Sequence, residues 1–389
     1  MIPSLDIILI VIFTLVQWRI TKLWLRWAGR RESRALRTAA RLAVFLADAL
    51  IFAAYGLNSS TILARWPVVS GRTAMLAGAV SLAYLLGATV VLAIYEILAA
   101  IQKHFGARLD PGRRRALRTA GHALLAAPFV AMGYGAFVER LDFQVREVDV
   151  PLPGLPRDLD GLRVLQLSDI HLGAFLSERD LARVVDAAIS LRPHLAVVTG
   201  DLISSHGDPL DVCIRQLARL KSDAGIFGCL GNHEHYADAE DRTEAAGARA
   251  GIGFLRGRAQ QLRFGSAVLN LAGMDHQSMF RRDTYLAGAD RLVVPGATNI
   301  LLSHNPDVFP VAARQGYNLM LAGHTHGGQV TVEILDRSIN PARFLTPYVC
   351  GLYRSGAAAG YVTRGIGTIG IPVRLGAPPE ISVLRLRKA

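Results

Sequence analysis

The pattern of apolar residues changes near residue 140. Upstream of this point the apolar residues form long stretches, at roughly residues 2–25, 42–63, 73–101 and 119–138. Each is close to the length of about 20 residues that a helix needs to cross a bilayer. The first has neither the basic start nor the small-residue cleavage site of a signal peptide. Residues 1–140 are therefore predicted to form a membrane domain of about four transmembrane helices.

Beyond Gly161 the apolar runs become short, and each ends abruptly in polar residues. Amphipathic segments such as residues 177–191 lie between some of them. This alternation is typical of α/β architecture. Residues 141–160, which contain Pro151, Pro153 and Pro156, are predicted to be a linker. Residues 161–389 then form the second domain.

The composition agrees with a membrane protein. Of the 389 residues, 51% are hydrophobic and only 19% are charged, which is unusually apolar for a globular chain. The three cysteines, Cys213, Cys229 and Cys350, are odd in number, widely spaced and free of any CxxC pairing. This spacing argues against a disulfide framework or a zinc ribbon and favours a structural role.

The positive charge is concentrated in the first domain. The formal net charge is +12, and residues 1–150 carry 18 Lys and Arg against 9 Asp and Glu. A nucleic-acid-binding protein would instead carry a basic patch on its folded domain. The basic residues cluster after the first apolar stretch and between the third and the fourth. By the positive-inside rule both clusters face the cytoplasm, which places the second domain outside it.

Two acidic residues, Asp48 and Glu96, lie within the predicted transmembrane helices. Ionisable groups in lipid often mark transport pathways, so a transporter is one alternative. Neither residue has an obvious basic partner at helical spacing, and a structural role stays open for both.

The polar clusters that follow the short apolar runs contain candidate metal ligands. Asp169 and His171 stand two residues apart, so on an extended chain their side chains point to the same side. The carboxylate of Asp201 has two oxygens and is able to bridge two ions. In chain order the clusters are Asp169 and His171, then Asp201, then Asn232, His233 and Glu234, then His304, and finally His324 and His326.

The clusters are more informative together than singly. Each one alone is compatible with a turn or a helix cap. Five successive predicted strands that all end in oxygen or imidazole ligands supply the mixed set that Mn, Fe and Zn accept. Functional sites of α/β sheets also lie at the carboxyl ends of strands. The sequence contains no GxSxG elbow or P-loop that would suggest a competing chemistry.

The order of these motifs resembles a known family. Asp-x-His, Gly-Asp, Gly-Asn-His-Glu, a lone His and Gly-His-x-His are similar, motif for motif, to the calcineurin-like metallophosphoesterase superfamily. Ser-Asp-Ile-His-Leu-Gly and Gly-His-Thr-His-Gly-Gly-Gln resemble its bacterial branch of membrane-associated or exported phosphoesterases. The resemblance covers roughly residues 145–386. It implies a four-layer αββα sandwich with two metal ions between its sheets.

The resemblance also implies a role for each cluster. His233 would give a proton to the leaving group, as imidazole is able to do near neutral pH. A carboxylate shared by two cations would offset their mutual repulsion. Mn, Fe, Zn and Ni all tolerate such a ligand set, and Mn is favoured. The implied ligands are Asp169, His171 and His326 for the first ion, Asn232, His304 and His324 for the second, and Asp201 for both.

Other residues have two possible roles each. Arg364 and Arg374 are candidates for phosphate contact, since Arg pairs bidentately with phosphate, but a surface role is equally open. Asp275 and His276 follow another predicted strand, as part of a substrate pocket or as structural residues. Glu234 extends the third cluster, either to orient a ligand or to cap the following helix.

These features predict a membrane-anchored hydrolase of phosphate monoesters or diesters that uses two divalent metal ions. Nearness to a bilayer favours a lipid or envelope substrate, and the predicted location is the periplasmic side of a bacterial inner membrane. One alternative is a pyrophosphatase of a nucleotide-linked lipid A precursor, whose substrate would be cytoplasmic. Another is a membrane sensor that binds metal or phosphate without turnover. No nucleic-acid binding is expected, and the oligomeric state stays open.

Overall fold

The computed structural model describes residues 3–29, 33–57, 71–105, 110–334 and 337–389. It divides into two compact units, Met1–Phe137 with Gly370–Val373, and Val138–Ile369 with Arg374–Ala389. The first unit contains long helices, and the second contains the described strands.

The first unit confirms the predicted helical region. Two of its segments, Met75–His104 and Thr119–Leu141, are long and apolar enough to cross a membrane. Four transmembrane helices were predicted, and two helical segments of the described residues meet this criterion. The loops used to predict the orientation include residues 30–32, 58–70 and 106–109, which lie outside the described part of the chain. The helices are α1 (Pro3–Ala28), α2 (Arg34–Leu57), α3 (Gly71–Phe105) and α4 (Pro111–Phe137).

Asp48 and Glu96, the two acidic residues singled out in the first unit, both have partners on α1. Arg19 Nε lies 2.7 Å from Glu96 Oε1, so Glu96 has a basic partner on another helix, whereas the prediction concerned helical spacing alone. Gln17 Nε2 donates to Asp48 Oδ1 at 2.6 Å, and the Thr21 hydroxyl donates to Asp48 Oδ2 at 2.7 Å. Spacing along one helix missed these contacts because they join different helices. Because the side chains of Asp48 and Glu96 both have polar partners, a structural role is favoured over transport.

The second unit contains two six-stranded sheets with orders β1-β14-β2-β3-β4-β5 and β12-β13-β9-β8-β7-β6, and a separate hairpin β10-β11. The strands are β1 (Gln144–Leu152), β2 (Arg163–Leu167), β3 (Leu195–Thr199), β4 (Ile226–Cys229), β5 (Ile252–Phe254), β6 (Arg258–Phe264), β7 (Ala267–Gly273), β8 (Thr298–Leu302), β9 (Leu319–Ala322), β10 (Val332–Ile334), β11 (Arg337–Ile339), β12 (Gly351–Ser355), β13 (Ala358–Val362) and β14 (Glu380–Lys388). The helices are α5 (Glu178–Ser190), α6 (Leu210–Leu217), α7 (Asn232–Tyr236), α8 (Glu240–Arg249) and α9 (Phe309–Gln315).

Three apolar clusters create the four layers. One packs α5 and α6 on the outer face of the first sheet, and a second fills the space between the two sheets. A third packs α9 on the outer face of the second sheet. β3, β8 and β9 are buried along their whole length, as expected for strands covered on both faces. The predicted αββα sandwich is confirmed.

The predicted linker is part of the fold. Residues 144–152 form β1, which runs parallel to β14 in register from Gln144 with Glu380 to Leu152 with Lys388. Nine of the twenty residues predicted as a linker over 141–160 therefore form a strand of the sheet. The prolines suggested a linker, but Pro151 lies near the end of an edge strand, where a missing N–H is tolerated.

Candidate metal centre

The candidate ligands meet because parallel strands deliver them to a common edge. β2, β3 and β4 run parallel in one sheet, and β7, β8 and β9 run parallel in the other. The residues that follow their carboxyl ends face one another across the sandwich. Three groups result, each with ligand atoms within 4.8 Å of one another, namely Asp169, His171 and His326, then His171, Asp201 and His233, and then Asp201, His304 and His324.

Asp201 lies between two groups of candidate ligands. Its Oδ2 is 3.0 Å from His304 Nε2 on one side and 3.5 Å from His171 Nε2 on the other. His171 Nε2 in turn lies 3.1 Å from His326 Nε2, which is 3.4 Å from Asp169 Oδ1. One carboxylate therefore touches both halves of the cluster, as a bridging ligand must.

The backbone at the ligands is strained. Five of the seven predicted ligands have a positive φ between 49° and 76°, a region that residues other than glycine rarely adopt. The extended chain predicted at Asp169 and His171 is therefore wrong, because left-handed turns at φ 50° and 49° bring these side chains together. Such strain persists only where the surroundings hold it and is typical of functional sites. The five are Asp169, His171, Asp201, His324 and His326.

The donor atoms fit divalent cations. Asp169 Oδ2 and Asn232 Oδ1 are buried without a hydrogen-bond partner among the described residues, which is costly unless something else satisfies them. Burial lowers the pKa of His171 and of His324 to about 3, so both rings are neutral with a lone pair free at neutral pH. Burial opposes ionisation of Asp201, but the charge of His304 holds its pKa well below the usual range.

Glu234 positions the loop that carries Asp201. Its side chain is fully buried, and its carboxylate accepts from the backbone N–H groups of Asp201, Leu202 and Gly231 at 2.7–2.9 Å. The structure shows both roles of Glu234, since the contact with the Gly231 N–H caps α7 and the contacts with Asp201 and Leu202 tie the β3 loop to the β4 loop. The residue type alone could not reveal which donors it meets.

We expect Glu234→Gln to lower both stability and turnover. The amide would point an N–H at backbone donors, and an unpaired buried group costs about 1–3 kcal/mol. Loss of a ligand-orienting partner typically costs about 10–100-fold in activity or metal affinity. Thermal unfolding and steady-state kinetics of the full chain measure both effects. Glu178→Gln is the matched control, because that carboxylate is exposed and its partner among the described hydrogen bonds is Gln216. Equal behaviour of the two variants would contradict the positioning role.

His233 is held with one ring nitrogen directed at the centre. Its Nδ1 lies 2.6 Å from the Ser204 carbonyl oxygen, so Nδ1 carries a proton and donates it. The ring stands edge-on to His171 at 4.8 Å between centroids, and its backbone N–H donates to Asp201 Oδ1 at 2.9 Å. Nε2 is then the atom available for proton transfer. The contact of His233 with Ser204 could not be predicted from the sequence, because any residue is able to supply a backbone carbonyl.

Arg374 has a different place from the one predicted. It is fully buried and donates to the carbonyl oxygens of Gly367, His326 and Ala377. Burial lowers its pKa to about 10, so it stays charged at neutral pH. A guanidinium occupied in this way does not reach a substrate phosphate. It supports the loop of His326 instead.

The other three weaker candidates lie at the margin of the cluster. Arg364 NH1 pairs with Glu380 at 2.7 Å, and Asp275 pairs with Arg256 at 2.9 Å. His276 is half-buried, and its ring lies 6.1 Å from that of Tyr236, which is 5.5 Å from His233. Both ion pairs are compatible with structural roles, whereas His276 lies within reach of a group bound beside His233.

Comparison with known proteins decides the family. A model described as Calcineurin-like phosphoesterase matches residues 162–328. A bovine (Bos taurus) transmembrane protein with metallophosphoesterase domain is 30% identical over 312 residues, which cover 76% of this chain and 68% of the bovine protein. The chain belongs to the calcineurin-like phosphoesterase family. Family membership identifies the second unit as a metal-dependent phosphoesterase domain, as the motifs predicted.

Other relatives match over similar lengths. A transmembrane protein with metallophosphoesterase domain from Danio rerio is 33% identical over 63% of this chain and 58% of its own length. An uncharacterized metallophosphoesterase of Bacillus subtilis is 29% identical over 71% of this chain and 97% of its own length. The chain thus spans less than two thirds of the zebrafish protein but nearly all of the bacillary one.

Proposed function

We propose that the protein is a membrane-anchored hydrolase of phosphate esters that uses two divalent metal ions. The observation that carries this proposal is the position of Asp201, whose Oδ2 lies 3.0 Å from His304 and 3.5 Å from His171. A single-ion site would not need a carboxylate between two groups of ligands. The first ion is assigned to Asp169, His171 and His326, and the second to Asn232, His304 and His324, with Asp201 shared.

The ions, when bound, would polarise the phosphoryl oxygens and lower the pKa of an attacking water. The chain supplies the rest. The neutral imidazoles of His171 and His324 and the Asn232 oxygen limit the negative charge at the centre, so an anionic ester is not repelled. His233 holds its proton-transfer atom, Nε2, beside the cluster through the Nδ1 hydrogen bond to Ser204. That atom is suited to protonate the leaving oxygen.

The membrane anchor and its orientation are part of the proposal. Two apolar helical segments and the clustered arginines of the first unit support an anchor with the phosphoesterase unit outside the cytoplasm. The location proposed with this orientation is the periplasmic side of a bacterial inner membrane, in keeping with the resemblance of the motifs to the bacterial branch of the family. Manganese is the ion proposed first, and a lipid-borne or envelope phosphate ester is the substrate class.

Hydrolysis assays on the full chain in detergent test the proposal. After the metal is stripped, Mn²⁺ is titrated while p-nitrophenyl phosphate and bis(p-nitrophenyl) phosphate are supplied in parallel. We expect turnover of at least one ester to appear with added ion and to vanish with a chelator. Tight metal binding without turnover of either ester would favour the non-catalytic sensor instead.

Metal removal should also lower the melting temperature. A ligand that binds only the folded state at about 100 times its Kd stabilises it by about 2.7 kcal/mol. For a domain of 150–250 residues, each 1 kcal/mol shifts the melting temperature by about 2–4 °C. We therefore expect a shift of several degrees between chelator-treated and Mn²⁺-loaded protein, followed by circular dichroism. His304→Ala should abolish the shift, whereas an unchanged shift in that variant would place the ions elsewhere.

A further inference from the structure

Two loops of the second unit expose large apolar side chains. Phe280, after β7, is 88% exposed, and Phe344 and Leu345, after β11, are 87% and 65% exposed. Phe280 and Phe344 are the most exposed of the large hydrophobic side chains that the structure describes. Single exposed apolar residues are ordinary, but a group of them marks an interaction surface.

The two loops meet at one buried carboxylate. Arg282 NH2 lies 3.6 Å from Asp307 Oδ2, and the Thr346 hydroxyl donates to Asp307 Oδ1. Phe280 is two residues from Arg282, and Phe344 is two residues from Thr346. The exposed apolar side chains thus stand on two loop segments that are joined through Asp307. Residues 278–283 and 341–347 are together called the aromatic loop surface.

Both loops are fixed to segments that carry metal ligands. Asn305, next to His304, donates through Nδ2 to the Gln277 carbonyl at 2.7 Å. Asn340 donates through Nδ2 to the carbonyl of Gly327 at 2.8 Å, and Gly327 follows His326. The Asn340 side chain also caps the turn Pro341–Phe344 by accepting from the N–H of Ala342. The aromatic loop surface thus borders the metal centre.

The surface carries an excess of positive charge. Arg281, Arg282 and Arg343 are exposed, whereas the acidic groups that face them are Asp283 and Asp307. Asp307 is already engaged by Arg282 and by Thr346. Aromatic and Leu side chains with flanking arginines are typical of segments that enter the interface of an anionic bilayer. In such segments the aliphatic part of an arginine side chain lies along the apolar layer while its guanidinium reaches the lipid phosphates.

The chain itself favours a bilayer over a protein partner. Aromatic and Arg residues are also enriched in protein interfaces, so composition alone does not decide. The phosphoesterase unit begins at Val138, directly after α4 ends at Phe137. The apolar segment Thr119–Leu141 ends inside the first turn of this unit, so no spacer separates a candidate membrane helix from it.

We propose that the aromatic loop surface docks onto an anionic phospholipid bilayer, with Phe280, Phe344 and Leu345 in the apolar layer and the three arginines at the lipid phosphates. This second contact holds the edge that carries the metal centre at the level of the headgroups. The substrate class that follows is a phosphate ester within the headgroup of a membrane lipid, and this consequence rests on the proposed function. The docking itself does not depend on catalysis.

Spin labels on the full chain in nanodiscs test the docking. Phe280→Cys and Phe344→Cys are labelled in a Cys350→Ser background, because Cys213 and Cys229 are buried. Lys221→Cys is the control, since Lys221 is exposed just before the amino end of β4, at the edge opposite the metal centre. Collision with oxygen, which concentrates in lipid, is compared with collision with a water-soluble nickel chelate.

We expect the ratio of oxygen to nickel accessibility to be severalfold higher at positions 280 and 344 than at 221. The ratio should rise further when phosphatidylglycerol is added to phosphatidylcholine, and Arg281→Glu with Arg343→Glu should reverse that rise. Ratios at 280 and 344 equal to the control would overturn the proposal. Dipolar broadening between two chains at position 280 without oxygen accessibility would overturn it too, in favour of a second copy. Because no step measures turnover, failure here is distinct from failure of the proposed hydrolase.

Discussion

Asp201→Asn is expected to lower kcat/KM for any phosphate ester by at least about a thousandfold, which corresponds to roughly 4 kcal/mol in the barrier. The amide keeps the shape of the side chain but loses the negative charge between the two ligand groups. Without it, the repulsion of two neighbouring cations is no longer offset. The measurement is steady-state hydrolysis of bis(p-nitrophenyl) phosphate at saturating Mn²⁺, with metal content determined on the same sample.

Asp186→Asn is the matched control for this variant. Asp186 is exposed on α5, between the loops of His171 and Asp201 in the sequence, and pairs only with Arg219 in the described contacts. It should retain full activity. If Asp201→Asn kept both its turnover and two bound ions, the bridging role assigned to this carboxylate would be wrong.

His233→Ala should lower kcat in a way that depends on the leaving group. Proton transfer by a positioned side chain contributes about 10²–10⁴-fold. That contribution is needed when an alkoxide leaves, whereas p-nitrophenolate departs without a proton. We therefore expect a loss of about 10²-fold or more for an alkyl phosphate ester and a much smaller loss for the p-nitrophenyl ester.

The exposed neighbour His235 provides the control for this series. Its Nδ1 pairs with Glu240 at 2.6 Å, and its ring is largely exposed. His235→Ala should change neither ester by more than a small factor. An equal loss for both esters in His233→Ala would mean that His233 positions the centre without transferring a proton.

Much of the fold could be predicted because buried strands have a simple signature. The apolar runs at residues 163–167, 195–199 and 319–322 match β2, β3 and β9 residue for residue. β1 was missed because an edge strand with four consecutive exposed residues and a proline has no such run. Its place is fixed by pairing with β14, more than 200 residues later in the chain.

The candidate site could be predicted in its residue types but not in its local geometry. The motifs name Asp169 and His171, but only the structure gives their left-handed backbone, since even Asp and His adopt a positive φ in a small minority of cases. The role of Arg374 was also beyond prediction, because its partners are backbone carbonyls rather than side chains. For the same reason the contacts of Glu234 with the N–H groups of Asp201 and Leu202 have no signature in the sequence, although its cap of α7 was among the predicted roles.

The most direct test of the two-ion account is a titration of metal-free full-length protein with Mn²⁺, in which bound metal and turnover are measured in the same samples. The account predicts that about two ions bind per chain and that hydrolysis appears as the second site fills. Full activity with one ion per chain, or two bound ions without hydrolysis of any ester, would contradict it.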